Sequence, residues 1–400
     1  MGNTVLTPTM VTRKALTVLH QKLNFVGSIN RSYDDSFANS GAKIGDTLKI
    51  RVPNQYTVRT GATISTQDTS ETSVSLQIAT QKGVDVNFTA NELTLSLDDF
   101  SDRIIEPAMA VLAANIEADA MSMVKDVYQQ EAGDGGGGTS ASALVLKGAL
   151  RARKRLNDML APPDNRTCSL NTTDSVAIVD AVKGLFQDSS AIAKQYREGY
   201  MGRTAGFDFV ENTLWPAFTR GDAASYVCNT STGITSGSAT VTLSGGTGTI
   251  KKGDIFTIVG VNAVHPETKN DLGYLQQFTA TADSTGTATV LVSPTPVTSG
   301  ATQNVVINSA GASKTVVVFG TASTAYPISM AYQKNAFAFA TADLIMPKGQ
   351  HFAAREVLDG ISMRIVQNYD IVNDKFPCRI DVLYGYKTIR PQLACRIAGA

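Results

Sequence analysis

The sequence predicts an α+β fold interrupted by an all-β barrel or sandwich, and three observations lead there. The stretch 98–130 carries Ile105, Met109, Leu112, Ile116, Ala120, Met123 and Val127 at steps of three or four, the spacing of one helical stripe. Segments such as GDTLKIRVP (45–53) and GVDVNFTA (83–90) alternate apolar and polar residues instead, which is the period of a strand. From Tyr226 to Thr324 only eight residues are Asp, Glu, Lys or Arg, while Thr, Ser, Gly, Ala and Val dominate. That shift marks a second kind of domain.

Taken in order, Val11, Ala15, Leu19 and Leu23 suggest a short helix with Arg13, Lys14 and Lys22, read as an arm rather than a domain core. After the strand 45–53, residues 54–81 read as two polar, Thr-rich strands around a turn near Thr66 to Ser70. Their apolar residues are too sparse for a core, and such a hairpin normally lies on something else. The long helix follows, counted from Ser101 to Gln130, roughly 45 Å at 1.5 Å per residue. Asp98, Asp99, Asp102 and Glu106 suit its positive end, Pro107 marks its first turn or kinks it, and Asn115, Glu117, Asp119, Ser122, Lys125 and Asp126 form the opposite, polar face.

EAGDGGGGTSAS (131–142) reads as a flexible linker; no Lys-Ser/Thr and no GxGxxG spacing supports a phosphate loop. A helix from Ser142 to Leu160 ends in RARKRLNDML, whose cations suit a helix C-terminus as a solvated face. Next come a strand near Thr167 to Leu170, a helix from Thr173 to Phe186 capped by Thr172 or Thr173, a helical piece SSAIAKQYREG, and the strand GRTAGFDFVEN (202–212). Six strands then recur without a helix: SATVTLSG, GDIFTIVGV, YLQQFTATAD, TATVLVSP, QNVVINSA and KTVVVFG. The host resumes as AYQKNAFAFATADL, ISMRIVQNYDI and CRIDVLYGYKTI, so it is discontinuous.

Composition excludes several functions. The 35 basic and 35 acidic residues balance to a net charge of +0, unlike the basic excess of a dedicated nucleic-acid binder. No apolar run approaches a membrane span, and the N-terminus lacks the apolar core of a signal peptide and the position-six Ser or Thr of a myristoylation motif. Cys168, Cys228, Cys378 and Cys395 have no CxxC spacing and read as reduced thiols. His20, His265 and His351 have no metal spacing, with His265 a turn residue; Asp254 also reads as a turn residue. No constellation supports an enzyme, a cofactor or a metal.

IKKGDIFTIVGVNAVHPETK (250–269) with LQQFTATAD (275–283), ELTLSLDDFSDRIIEPAMAVLAANIEAD (92–119) and AGFDFVEN (205–212) resemble the major capsid proteins of tailed bacteriophages. The resemblance is strongest to the podophage coat proteins with an inserted β-domain. It implies the Johnson fold, with a spine helix, an extended hairpin reaching over a neighbour, and peripheral and axial domains. The implied division is an arm (1–44), the hairpin and its strands (45–90), spine helix, peripheral domain and first axial part (91–225), the inserted barrel (226–324) and the remaining axial strands (325–400).

The resemblance implies a virion protein that assembles in the host cytoplasm into pentamers and hexamers of an icosahedral shell around double-stranded DNA. Its implied partners are itself, a separate scaffolding protein, a portal protein and a decoration protein on the outside; no membrane or cofactor is implied. Residues 54–81 contain no lysine for a covalent cross-link, so cohesion is expected to be noncovalent. Arg51, Arg59, Asp68 and Glu71 are the candidate subunit contacts, by location alone. Deleting 58–76 should leave a folded subunit unable to close shells. The rival readings are a β-rich adhesion protein and an enzyme around Cys168 or His265.

Overall fold

The computed structural model describes residues 8–31, 47–64, 66–68, 71–88, 105–135, 141–182, 202–285, 289–344, 346, 347, 349, 352–358, 360–372 and 375–399. Asp98, Asp99, Asp102, the piece SSAIAKQYREG and His351 lie outside the described residues. The chain forms two units: Met1–Arg51, Ser73–Met121 and Phe337–Ile389 make the first, and Val52–Thr72, Ser122–Ala336 and Arg390–Ala400 the second.

The first unit is built on one long strand, Phe376–Thr388, that pairs antiparallel with Thr80–Phe88, Ile361–Gln367 and Phe337–Ala342. Phe352–Leu358 extends the sheet from Ile361–Gln367. The helix Pro8–Lys22 packs against Phe352–Leu358 and the spine helix, with Val11, Ala15, Leu19 and Leu23 buried. It is therefore core and not the free arm that its place in the sequence suggested. Its partner strand lies more than 300 residues away, so no local pattern could reveal the packing.

The described spine helix runs Glu106–Met121, with Pro107 in its first turn, where a missing N–H costs little. All seven residues of the expected stripe are buried. The helix ends earlier than expected, tightening into a 3-10 turn at Ser122–Asp126 before the strand Gln130–Ala132 begins. At about 1.5 Å per residue, these 16 residues span roughly 24 Å of the expected 45 Å, whose first residues, 101–104, lie outside the described residues.

Glu117, expected on the polar face, is buried; its carboxylate accepts the backbone N–H groups of Phe25 (3.0 Å) and Val26 (2.9 Å). It thereby caps the short helix Phe25–Ser28 and fixes it on the spine, where the Phe25 ring meets Phe337 at 5.7 Å. On the sheet, buried Asp381 accepts from Arg364 (2.6 Å) and Arg379 (2.9 Å). Gly83 stands opposite Asp381, and a Cβ there would lie 2.4 Å from the Asp381 carboxylate.

The second unit contains a six-stranded sheet ordered Gln130–Ala132, Ala394–Ala398, Ile328–Gln333, Arg166–Leu170, Phe207–Glu211, Arg203–Thr204. The helix Leu146–Asp158 packs on Ala394–Ala398. The following helix, Thr172–Val182, is capped by Asn171 and not by a threonine: Asn171 Oδ1 accepts from the Asp174 N–H at 2.8 Å. The basic run is less solvated than expected. Arg155 pairs with Glu131 at 2.5 Å, Lys154 with Asp158 at 2.7 Å, and both cations stand over the Tyr274 ring.

All six expected strands of the low-charge region form. With Val227–Cys228 they make one seven-stranded sheet, closed by pairing of Ile255–Val264 with Asp271–Ala280, so the region is a barrel. Its interior holds Tyr226, Val241, Leu243, Phe256, Ile258, Phe278, Val290, Val292 and Val316. The chain enters and leaves through adjacent strands, Phe218–Thr219 and Ala325–Tyr326.

A polar seam fastens the barrel to its host within this unit. Gln277 and Gln130 exchange two hydrogen bonds, side-chain amide to backbone, at 2.8 and 2.7 Å. Arg396, fully buried, donates to the carbonyls of Gly253 (2.8 Å) and Lys125 (2.9 Å) and to Thr279 Oγ1 (3.3 Å). Burial pushes its guanidinium down to about 9, against the holding charges of Asp126 and Asp254, so it remains charged at neutral pH. Asp254 is no surface turn residue: it is buried and accepts from the N–H groups of Gly221 and Lys251. Burial raises its carboxyl, opposed by those bonds and by Arg220 and Arg396.

Candidate subunit-contact surface

The surface is built at the ladder between Thr47–Arg51 and Ser73–Gln77, where Ile50 and Leu76 are buried with Ile78, Ala340 and Leu383. Arg51 is exposed at the end of this ladder, opposite Ser73. Between the two strands runs the loop 52–72. It holds no regular strand among its described residues; of the two strands expected over 54–81, the returning one forms as Ser73–Gln77 and the outgoing one does not appear among the described residues. Its turn also lies elsewhere: Gly61 takes φ +96°, a region that favours glycine, and the ladder's register has its midpoint at Ala62 rather than in 66–70.

The register nevertheless continues past the ladder. Val52 N–H donates to the Thr72 carbonyl at 2.9 Å. Five residues on, the Gln67 side-chain amide accepts from the Thr57 N–H (2.9 Å) and donates to the Thr57 carbonyl (2.6 Å). Arg59 folds onto its own loop, donating to the carbonyls of Gly61 and, at 3.2 Å, Thr63. Asp68 and Glu71 are exposed on the returning limb.

Sequence reasoning passed over the apolar residues of this loop. Tyr56, Val58 and Ile64 are 56, 95 and 79% exposed among threonines and other polar residues. Single exposed hydrophobics are ordinary, and here three fall on one loop. The available signal was the two-residue spacing of Tyr56 and Val58, which only the correct turn position joins to Ile64.

The residues weighed for chemistry are placed otherwise. Cys168, Cys228, Cys378 and Cys395 are buried free thiols; burial pushes Cys228 up to about 11 and Cys378 to about 12, and raises the other two as well. His265 Nδ1 accepts from the N–H groups of Glu267 and Thr268, closing its turn. Among the described residues no His, Cys, Asp and Glu group could hold a metal, and no helix is long and apolar enough to cross a membrane.

Comparison with known proteins follows the same line. Similar solved structures include that titled Mycobacterium phage Che8, with 13% identity over 94% of this chain and 90% of that one at a TM-score of 0.48. The capsid of Ralstonia phage GP4 is 7% identical over 94% and 91%, with a TM-score of 0.49. The satellite phage P4 procapsid including size determination (Sid) protein is 10% identical over 99% and 92%, with a TM-score of 0.42. No curated protein matches the chain. The family described as "P22 coat protein - gene protein 5" matches residues 6–399, nearly the full length. This makes the chain a major capsid protein, a structural subunit that self-assembles into an icosahedral phage shell. The chain belongs to the P22 coat protein family.

Proposed function

We propose that the chain closes its shell from pentamers and hexamers, around double-stranded DNA, through the loop 52–72 lying on a neighbouring copy. The observation that carries this is the exposure of Tyr56, Val58 and Ile64, apolar groups on a loop that Gln67 and Arg59 bond to itself. A contact that covers many such small patches is individually weak, which lets misplaced subunits dissociate before closure. The balanced charge of 35 basic and 35 acidic residues suits a wall that surrounds DNA without gripping it. Assembly takes place in the host cytoplasm with a separate scaffolding protein, and the finished shell carries a portal and an outer surface open to a decoration protein.

Sedimentation of the chain expressed with and without a candidate scaffolding protein tests this reading. A uniform fast-sedimenting species that needs the second protein is the expected result. A chain that assembles equally uniformly without it would remove the scaffolding protein from the account.

A further inference from the structure

The loop 52–72 is ordered by side chains where a hairpin would use its backbone. Gln67 supplies both an acceptor and a donor to Thr57, the pair of bonds that an opposite strand residue would make. Arg59 closes the tip by binding the carbonyls of Gly61 and Thr63. Together these bonds tie the outgoing residues Thr57 and Arg59 to Gly61, Thr63 and Gln67 further along the loop. The exposed apolar groups Tyr56, Val58 and Ile64 lie on the loop that these bonds order.

A loop without such bonds would lose its freedom only on docking, and that ordering cost would be subtracted from a weak contact. We propose that Gln67 and Arg59 are positioning residues that hold the loop 52–72 in a docking-ready register for a second copy of this chain. Arg59 then acts inside its own subunit, where location alone made it a candidate for pairing with a neighbour. The proposal rests on the reading of this loop as a subunit contact.

The test compares Gln67→Ala, Gln67→Glu and Arg59→Ala with a face variant, Tyr56→Ser/Val58→Ser/Ile64→Ser, in the full chain. Three quantities are read: the subunit's unfolding midpoint, hydrogen exchange of the Thr57 amide, and the free-subunit concentration in equilibrium with shells. Gln67→Ala should leave the midpoint unchanged, speed exchange at Thr57 and raise the free-subunit concentration about tenfold, the consequence of losing two modest hydrogen bonds. Gln67→Glu keeps the acceptor for the Thr57 N–H and should fall between, and Arg59→Ala should raise the concentration without exposing Thr57. If the face variant blocks assembly while Gln67→Ala and Arg59→Ala assemble at the parent's concentration, the contact stands and the positioning role is overturned. If the face variant assembles like the parent, the contact reading itself fails, and the proposal with it.

Discussion

Replacing Arg396 with Met should destabilise the subunit by about 3 kcal/mol, read as a lower denaturant midpoint at unchanged slope. Arg396 is fully buried, and its two NH groups hold the carbonyls of Gly253 and Lys125, one in the barrel and one in the 3-10 turn Ser122–Asp126. Methionine fills much of the space but donates nothing, and an orphaned buried carbonyl costs about 1–3 kcal/mol. Apolar replacement of a buried charge sometimes stabilises a protein, because all its charged partners are replaced together. That route is closed here, since the backbone carbonyls of Gly253 and Lys125 that Arg396 binds remain after the substitution. Removing a costly cation whose Nε has no partner offsets part of the loss. Arg396→Lys should fall between the two, because one ammonium cannot span both carbonyls as the planar fork does. Equal stability of Arg396→Met and the parent would mean that the desolvation of the guanidinium cancels its bonds.

Replacing residues 54–70 with Asn-Gly should leave the subunit's stability within about 0.5 kcal/mol of the parent and abolish closed shells. The register dictates this boundary: Arg51 faces Ser73 and the Val52 N–H meets the Thr72 carbonyl, so a two-residue turn between Pro53 and Glu71 keeps the ladder intact. The wider deletion 58–76, which the sequence suggested would be tolerated, removes all but Gln77 of the strand Ser73–Gln77 and takes Leu76 from a buried cluster. Loss of one such leucine costs about 2–5 kcal/mol, so that deletion would confuse unfolding with failed assembly. Normal shells from the 54–70 replacement would show that the loop is not a subunit contact.

Elements whose partners are close in sequence were legible in advance. The spine stripe from Ile105 to Val127 was readable because its period reports a buried face directly, and the barrel strands because each alternates between turn signals. The spine's early end was not readable, because Gln130–Ala132 becomes a strand only by pairing with Arg396–Ala398. Glu117 looked like a surface acid for the same reason, its two N–H donors being 91 and 92 residues away. The loop's turn was misplaced because the polar run 66–70 resembles a turn in composition, whereas register is fixed by Ile50 and Leu76 in the core. The four charged candidates were chosen by location alone; Arg59 binds carbonyls of its own loop, and the exposed apolar residues of that loop went unnoticed.

Negative-stain electron microscopy of the purified chain, alone and coexpressed with a candidate scaffolding protein, tests the central claim most directly. Closed polyhedral shells of uniform size are the result predicted for this major capsid protein. Persistent monomers under both conditions, at concentrations of tens of micromolar or about that order, would contradict a chain built to assemble through many weak contacts.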